Sequence, residues 1–124
     1  MSKVTVLIIE DDASIRDIYT HAFNGVGIGV ITAPDGGTGV DLALQHHPDL
    51  ILVDIDMPVM NGHETVYQIR KDEWGKSAKV VYLTNMDDAE NVIHAVEQGS
   101  DKYIIKANMT PTEVVKQARM IMGA

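Results

Sequence analysis

Leu50-Ile51-Leu52-Val53-Asp54-Ile55-Asp56 is the stretch that decides the fold. Its first four residues are apolar with no polar alternation, as expected of a strand covered on both faces. The run then breaks into acid at Asp54 and Asp56. Outward from it, four more short apolar runs recur: Val4 to Ile9, Ile28 to Thr32, Val80 to Leu83 and Tyr103 to Ile105. The segments between them carry helical spacing. Ile15, Ile18, Tyr19, Ala22 and Phe23 share one helix face. So do Ala89, Val92, Ile93 and Val96, and so do Val114, Val115, Ala118, Ile121 and Met122. Gly62 to Lys71 is a weaker helix with Val66 and Ile69 as its apolar positions. A further helix is read at Gly36 to Gln45, against interior glycines that cost about 1 kcal/mol each relative to alanine. Strict strand–helix alternation predicts one α/β domain over residues 1–124. It is a doubly wound, five-stranded parallel sheet with five helices on its two faces.

Local punctuation agrees. Asn61 with Glu64, and Asp87 with Glu90, have the spacing of capping boxes. Thr110-Pro111-Thr112-Glu113 is the strongest helix start: an N-cap, proline in the first turn and an acid at N3. Gly25 and Gly99 stand where a helix-ending glycine belongs. Met120 and Met122 are expected to pack in the core, and Trp74 to be half exposed. His46 and His47, beside Pro48, read as exposed polar residues at a helix end.

The chain has 124 residues, 18 acids against 10 Lys and Arg, and a formal charge of -8. That balance disfavours direct nucleic-acid binding. Cysteine is absent, which excludes disulfides, thiolate catalysis and Cys-based metal sites. The longest stretch without Asp, Glu, Lys or Arg, Ile18 to Pro34, contains His21, Asn24 and glycines and is no membrane span. The expected setting is cytoplasmic, without membrane insertion.

In an open parallel sheet, ligands bind beyond the carboxyl ends of the strands. Here those ends carry Glu10-Asp11-Asp12, Asp54-Ile55-Asp56, Thr84-Asn85 and Lys106. Clustered carboxylates repel one another. A hard divalent cation removes that repulsion, and an oxygen-only donor set favours Mg²⁺. A metal with open positions can hold a phosphoryl group, whose other oxygens suit a lysine and a hydroxyl. A carboxylate there can act as the nucleophile and form an aspartyl phosphate. Taken singly, Asp11 or Asp12 is more often an N-cap for the first helix, Lys106 a solvated lysine and Thr84 a loop residue; their joint placement at consecutive strand ends reverses that reading.

These residues resemble the receiver domain of two-component response regulators. The matching stretches are VTVLIIEDDASIR, PDLILVDIDMPVMNG, VVYLTN and DKYIIKANMTP, and the likeness covers essentially the whole chain. The resemblance implies a flavodoxin-like strand order 2-1-3-4-5. It implies Asp54 as the phosphoacceptor, served by a sensor histidine kinase or phosphotransfer protein. Asp11 matches a direct Mg²⁺ ligand and Glu10 its partner through water, with Asp11-Asp12 as the alternative register. Asp56 falls where the family offers a backbone carbonyl to the metal, and its side chain should influence hydrolysis. Thr84 resembles the switch hydroxyl, Lys106 the lysine that pairs with the phosphoryl oxygen, and Tyr103 the switch aromatic. Pro58 and Gly62 match the loop after the acceptor, where proline fixes φ and glycine permits unusual angles. The implied role is a stand-alone receiver. It switches partner binding through the fourth helix, fifth strand and fifth helix, promoting its own phosphorylation and dephosphorylation.

Three positions depart from the family pattern. Ala107 follows the lysine where proline is usual, Asn85 follows Thr84 where a very small residue is preferred, and Asp56 adds a negative side chain. Two other readings remain. Asp54 and Asp56 have the spacing of the nucleophile and acid/base of haloacid-dehalogenase-type phosphatases, although Pro58 stands where those carry Thr or Val. A phosphorylation-independent interaction module on the same fold is the third.

Overall fold

The computed structural model describes residues 4–84 and 109–123, and residues 102–105 as backbone. Among the described residues there are five strands: β1 (Thr5–Ile9), β2 (Gly29–Ala33), β3 (Leu50–Asp54), β4 (Val80–Thr84) and β5 (Lys102–Ile105). All are parallel, in the order β2-β1-β3-β4-β5. Every residue of β3 and β4 is buried. This is the environment that the unbroken apolar run of β3 calls for.

Among the described residues there are four α-helices: α1 (Ala13–Asn24), α2 (Gly36–His46), α3 (Gly62–Arg70) and the C-terminal helix (Pro111–Met122). The helix expected around residues 89–96, with Gly99 and the Asp87–Glu90 box, lies outside the described residues. None of the described helices is long and apolar enough to cross a membrane.

The pleat sorts successive strand residues onto opposite faces. Leu7, Ile9, Ile51, Val53 and Tyr82 meet Ala43 of α2 and Val66 and Ile69 of α3 in one core layer. Val6, Ile8, Leu50, Leu52, Val81 and Leu83 meet Tyr19 and Phe23 of α1 and Val114, Val115 and Ala118 of the C-terminal helix in the other. Two layers on one sheet make the doubly wound arrangement. The glycines that weaken α2 in isolation let it pack closely. A Cβ at Gly39 would lie 2.5 Å from Cδ1 of Ile9, and one at Gly36 would strike the Thr65 hydroxyl on α3. Two apolar residues do not join the core as expected. Ile18 and Met120 are 51% and 68% exposed, because each sits at the edge of its helix's buried stripe.

Helix ends follow the local chemistry with one correction. Asp12, Asp35 and Asn61 cap α1, α2 and α3, each accepting a backbone N–H of the first turn. Thr110 and Glu113 form the full reciprocal box. At the end of α1, however, Gly25 keeps a right-handed helical conformation, φ -62°. The left-handed residue is Gly27, φ +79°. The Gly27 N–H donates to the Asn24 carbonyl at 3.0 Å and the Ile28 N–H to the Phe23 carbonyl at 3.1 Å. That is a Schellman closure, and Ile28 and Phe23 are both buried in the same core layer. α2 ends instead on His47, φ 48°, whose ring stacks on half-buried Trp74 with centroids 4.4 Å apart.

Nothing lies within 4 Å of a Cβ placed on Gly27, so its substitution meets a conformational cost alone. Gly27→Ala is expected to destabilise the chain by roughly 1–2 kcal/mol, whereas Gly25→Ala should be neutral or stabilising. Urea unfolding checks this: a lower midpoint at unchanged slope for the first variant only.

Candidate functional site

The site lies at the carboxyl edge of the sheet, where β1 and β3 run side by side with Ile9 opposite Val53. The next residues, Glu10 and Asp54, are therefore neighbours. Glu10 extends the ladder by donating its N–H to the Ala33 carbonyl at 3.1 Å. Both acids are buried, 1% and 3% exposed. Exposed Asp11 joins them: each of Glu10, Asp11 and Asp54 offers a carboxylate oxygen, and these oxygens lie within 4.8 Å of one another.

Asp12, the fourth acid, is committed elsewhere. Its Oδ1 accepts the N–H groups of Ser14 at 2.9 Å and Ile15 at 3.1 Å, capping α1. Of the two registers, Glu10-Asp11 and Asp11-Asp12, the first contributes both of its acids to the cluster, while Asp12 of the second caps the helix. Asp12 also donates its own N–H to Glu10 Oε1 at 3.2 Å. Arg16 reaches back from α1 to the Glu10 backbone carbonyl, 2.8 Å from Nη1, and pins the first turn of the helix to the strand end.

On the β3 side, Asp54 Oδ1 accepts the Asp56 N–H at 3.2 Å. Ile55 extends the sheet by donating to the Leu83 carbonyl at 2.9 Å, and its own carbonyl accepts from Gly62 at 3.0 Å. Gly62 therefore starts α3 hard against the end of β3. A Cβ there would lie 2.5 Å from the Asp54 carbonyl oxygen and 2.8 Å from Ile55 Cα. Gly62 is needed for space and not for an unusual angle. The unusual angle belongs to Val59, φ 67°. Around it the Met60 N–H donates to the Pro58 carbonyl at 2.7 Å, closing a γ-turn. No sequence signal marks Val59, because β-branched residues are the least expected at positive φ.

Thr84 ends β4, one step beyond the Asp54–Leu83 pair, and is fully buried. Its Oγ1 donates to Asp56 Oδ2 at 3.2 Å. Asp56 is thus in contact with both Asp54 and Thr84, and its carboxylate faces the hydroxyl. The backbone of Tyr103 pairs with Tyr82 in the neighbouring strand. The Tyr103 side chain, Asn85, Lys106 and Ala107 lie outside the described residues.

The donor set is all oxygen, two of the three carboxylates are buried, and they repel. Such a trio fits a hard divalent cation and does not fit a soft one.

Comparison with known proteins agrees with this geometry. Residues 6–119 match the response regulator receiver domain family. The chain is 32% identical to the DNA-binding response regulator MtrA of Mycobacterium tuberculosis over 92% of its own length and 48% of that protein. It spans about half the length of the curated relatives it matches. Its fold is similar to that of the chemotaxis protein CheY4 of Vibrio cholerae, with a TM-score of 0.90, 28% identity, and coverage of 97% and 99% of the two chains. The receiver domain of the sensor histidine kinase PA1611 from Pseudomonas aeruginosa, solved with a magnesium ion coordinated in its active-site cleft, has the same fold. It gives a TM-score of 0.88 at 22% identity, covering 99% of this chain and 100% of that one. The α/β sheet order, the acidic pocket at its carboxyl edge and the family match agree: this chain belongs to the receiver domains of two-component response regulators.

Proposed function

We propose that Asp54 accepts a phosphoryl group from a phosphohistidine on a sensor histidine kinase or phosphotransfer protein. We take residues 1–124 as one receiver domain working beside such a kinase in the cytoplasm. The observation that carries this is the convergence of Glu10, Asp11 and Asp54 at the sheet edge where such folds bind ligands. In the transfer, a carboxylate oxygen of Asp54 attacks phosphorus. An O–P bond forms, the N–P bond breaks, and its electron pair returns to the imidazole nitrogen. In hydrolysis, a water oxygen attacks phosphorus and the bond to Asp54 breaks. Inorganic phosphate leaves, the water's proton passes to solvent, and the carboxylate is restored.

Asp11, Asp54 and the Asp56 backbone carbonyl would hold Mg²⁺, with Glu10 acting through water. Bound there, the ion supplies positive charge against the carboxylates and the phosphoryl oxygens. Lys106 and Thr84 are assigned to the remaining phosphoryl oxygens, one by charge and one by hydrogen bond. Thr84 and Tyr103 would then carry the change to a surface made by β5, the C-terminal helix and the helix expected from the sequence around residues 89–96, where a downstream protein would bind. The acidic net charge of -8 speaks against direct contact with nucleic acid. The chain acts on its own aspartate and not on a separate substrate, and the phosphatase reading gains no support from the family match.

Intact-mass analysis after acetyl phosphate with Mg²⁺ tests this. The native chain should gain one phosphoryl mass and Asp54→Asn none; an equal gain in both overturns the assignment. A second variant probes the floor of the pocket. Gly62→Ala should cost roughly 1–3 kcal/mol through overpacking and slow phosphorylation, because the new methyl displaces the Asp54 carbonyl. Full-rate labelling at native stability would contradict it.

A further inference from the structure

Asp56 does more than add charge beside the acceptor. Its N–H donates to Asp54 Oδ1 and its Oδ2 accepts from Thr84 Oγ1, both at 3.2 Å. It therefore links the residue assigned as acceptor to the residue assigned as switch. Thr84 is fully buried, while the Asp56 carboxylate reaches it from an exposed position. A carboxylate has no proton to give, so the hydroxyl is the donor in this pair. A hydroxyl carries a single proton. Thr84 cannot donate it to Asp56 and to a phosphoryl oxygen at the same time.

We propose that Asp56 is a latch: its carboxylate holds the Thr84 hydroxyl in the resting state and competes with the phosphoryl group for the one proton Thr84 can donate. The inference rests on the phosphoacceptor reading above and adds a positioning residue to it. Activation then includes an exchange of acceptors, from Asp56 Oδ2 to a phosphoryl oxygen. Because both acceptors are anionic, the exchange swaps one charged hydrogen bond for another. The balance between resting and active forms is correspondingly shallow.

Two substitutions separate the latch from simple charge. Asp56→Asn removes the charge and keeps a carbonyl oxygen that can accept from Thr84. Asp56→Ala removes both. Both sit at an exposed position and leave the core intact. The first readout is the resting state, without any phosphoryl mimic. Methyl NMR of Thr84, with the scalar couplings that report its χ1, should be native-like in Asp56→Asn and shifted in Asp56→Ala. The second readout is titration with beryllofluoride and Mg²⁺. Asp56→Ala should bind it roughly two- to tenfold more tightly than Asp56→Asn, the fold-change equivalent of one hydrogen bond. In a Thr84→Val background, which keeps the volume and deletes the hydroxyl, that difference should vanish.

Identical Thr84 couplings in the two variants would overturn the latch. So would equal beryllofluoride affinities, or a difference that survives Thr84→Val. Failure of the native chain itself to take up beryllofluoride would look different: it would sink the phosphoacceptor reading and the competition with it.

Discussion

Three carboxylates that repel one another are brought together at the edge of a parallel sheet. β1 and β3 are adjacent parallel strands, and their last paired residues deliver Glu10 and Asp54 to the same edge. Asp11 follows immediately. At separations within 4.8 Å, each pair opposes the fold by about 1 kcal/mol if well solvated and about 3 kcal/mol at an effective dielectric near 20. Glu10 and Asp54 are buried, so solvent does little to relieve them. The hydrophobic layers on both faces of the sheet supply the stability that keeps this pocket assembled. A bound cation would relieve the repulsion within the pocket.

The neighbouring acids are divided between structure and chemistry by what else they touch. Asp12 points into the first turn of α1 and satisfies two backbone donors, so it is withdrawn from the cluster. Asp56 turns toward Thr84. Glu10 is braced on its backbone by Arg16 and at its carboxylate by the Asp12 N–H. Gly62 fixes how near α3 can start to the end of β3.

Much of this was legible in the residues. The five strands among the described residues begin and end within one residue of their apolar runs, because each run is flanked by polar residues, glycine or proline. Thr110 and Glu113 cap the last helix as their spacing indicates. The acidic pocket was readable because it needs only strand order and strand ends. What was not legible depends on three-dimensional closure. Gly25 and Gly27 are equivalent as letters, and only the Ile28–Phe23 contact selects the second as the left-handed residue. Val59 takes a conformation that its side chain disfavours, so its composition points away from the answer. The Thr84–Asp56 hydrogen bond joins the ends of two strands through side-chain rotamers that no spacing rule encodes. Ile18 and Met120 satisfy helical periodicity yet sit at the margin of the buried stripe.

The most direct measurement of the central claim is the thermal stability of the native chain and of Asp11→Asn, each with and without Mg²⁺. If the carboxylates repel and share one cation, Asp11→Asn is more stable than the native chain in the absence of metal, by roughly 1 kcal/mol. It also loses most of the stabilisation that Mg²⁺ confers on the native chain. An Asp11→Asn variant no more stable than the native chain without metal, and stabilised equally by Mg²⁺, would contradict the account.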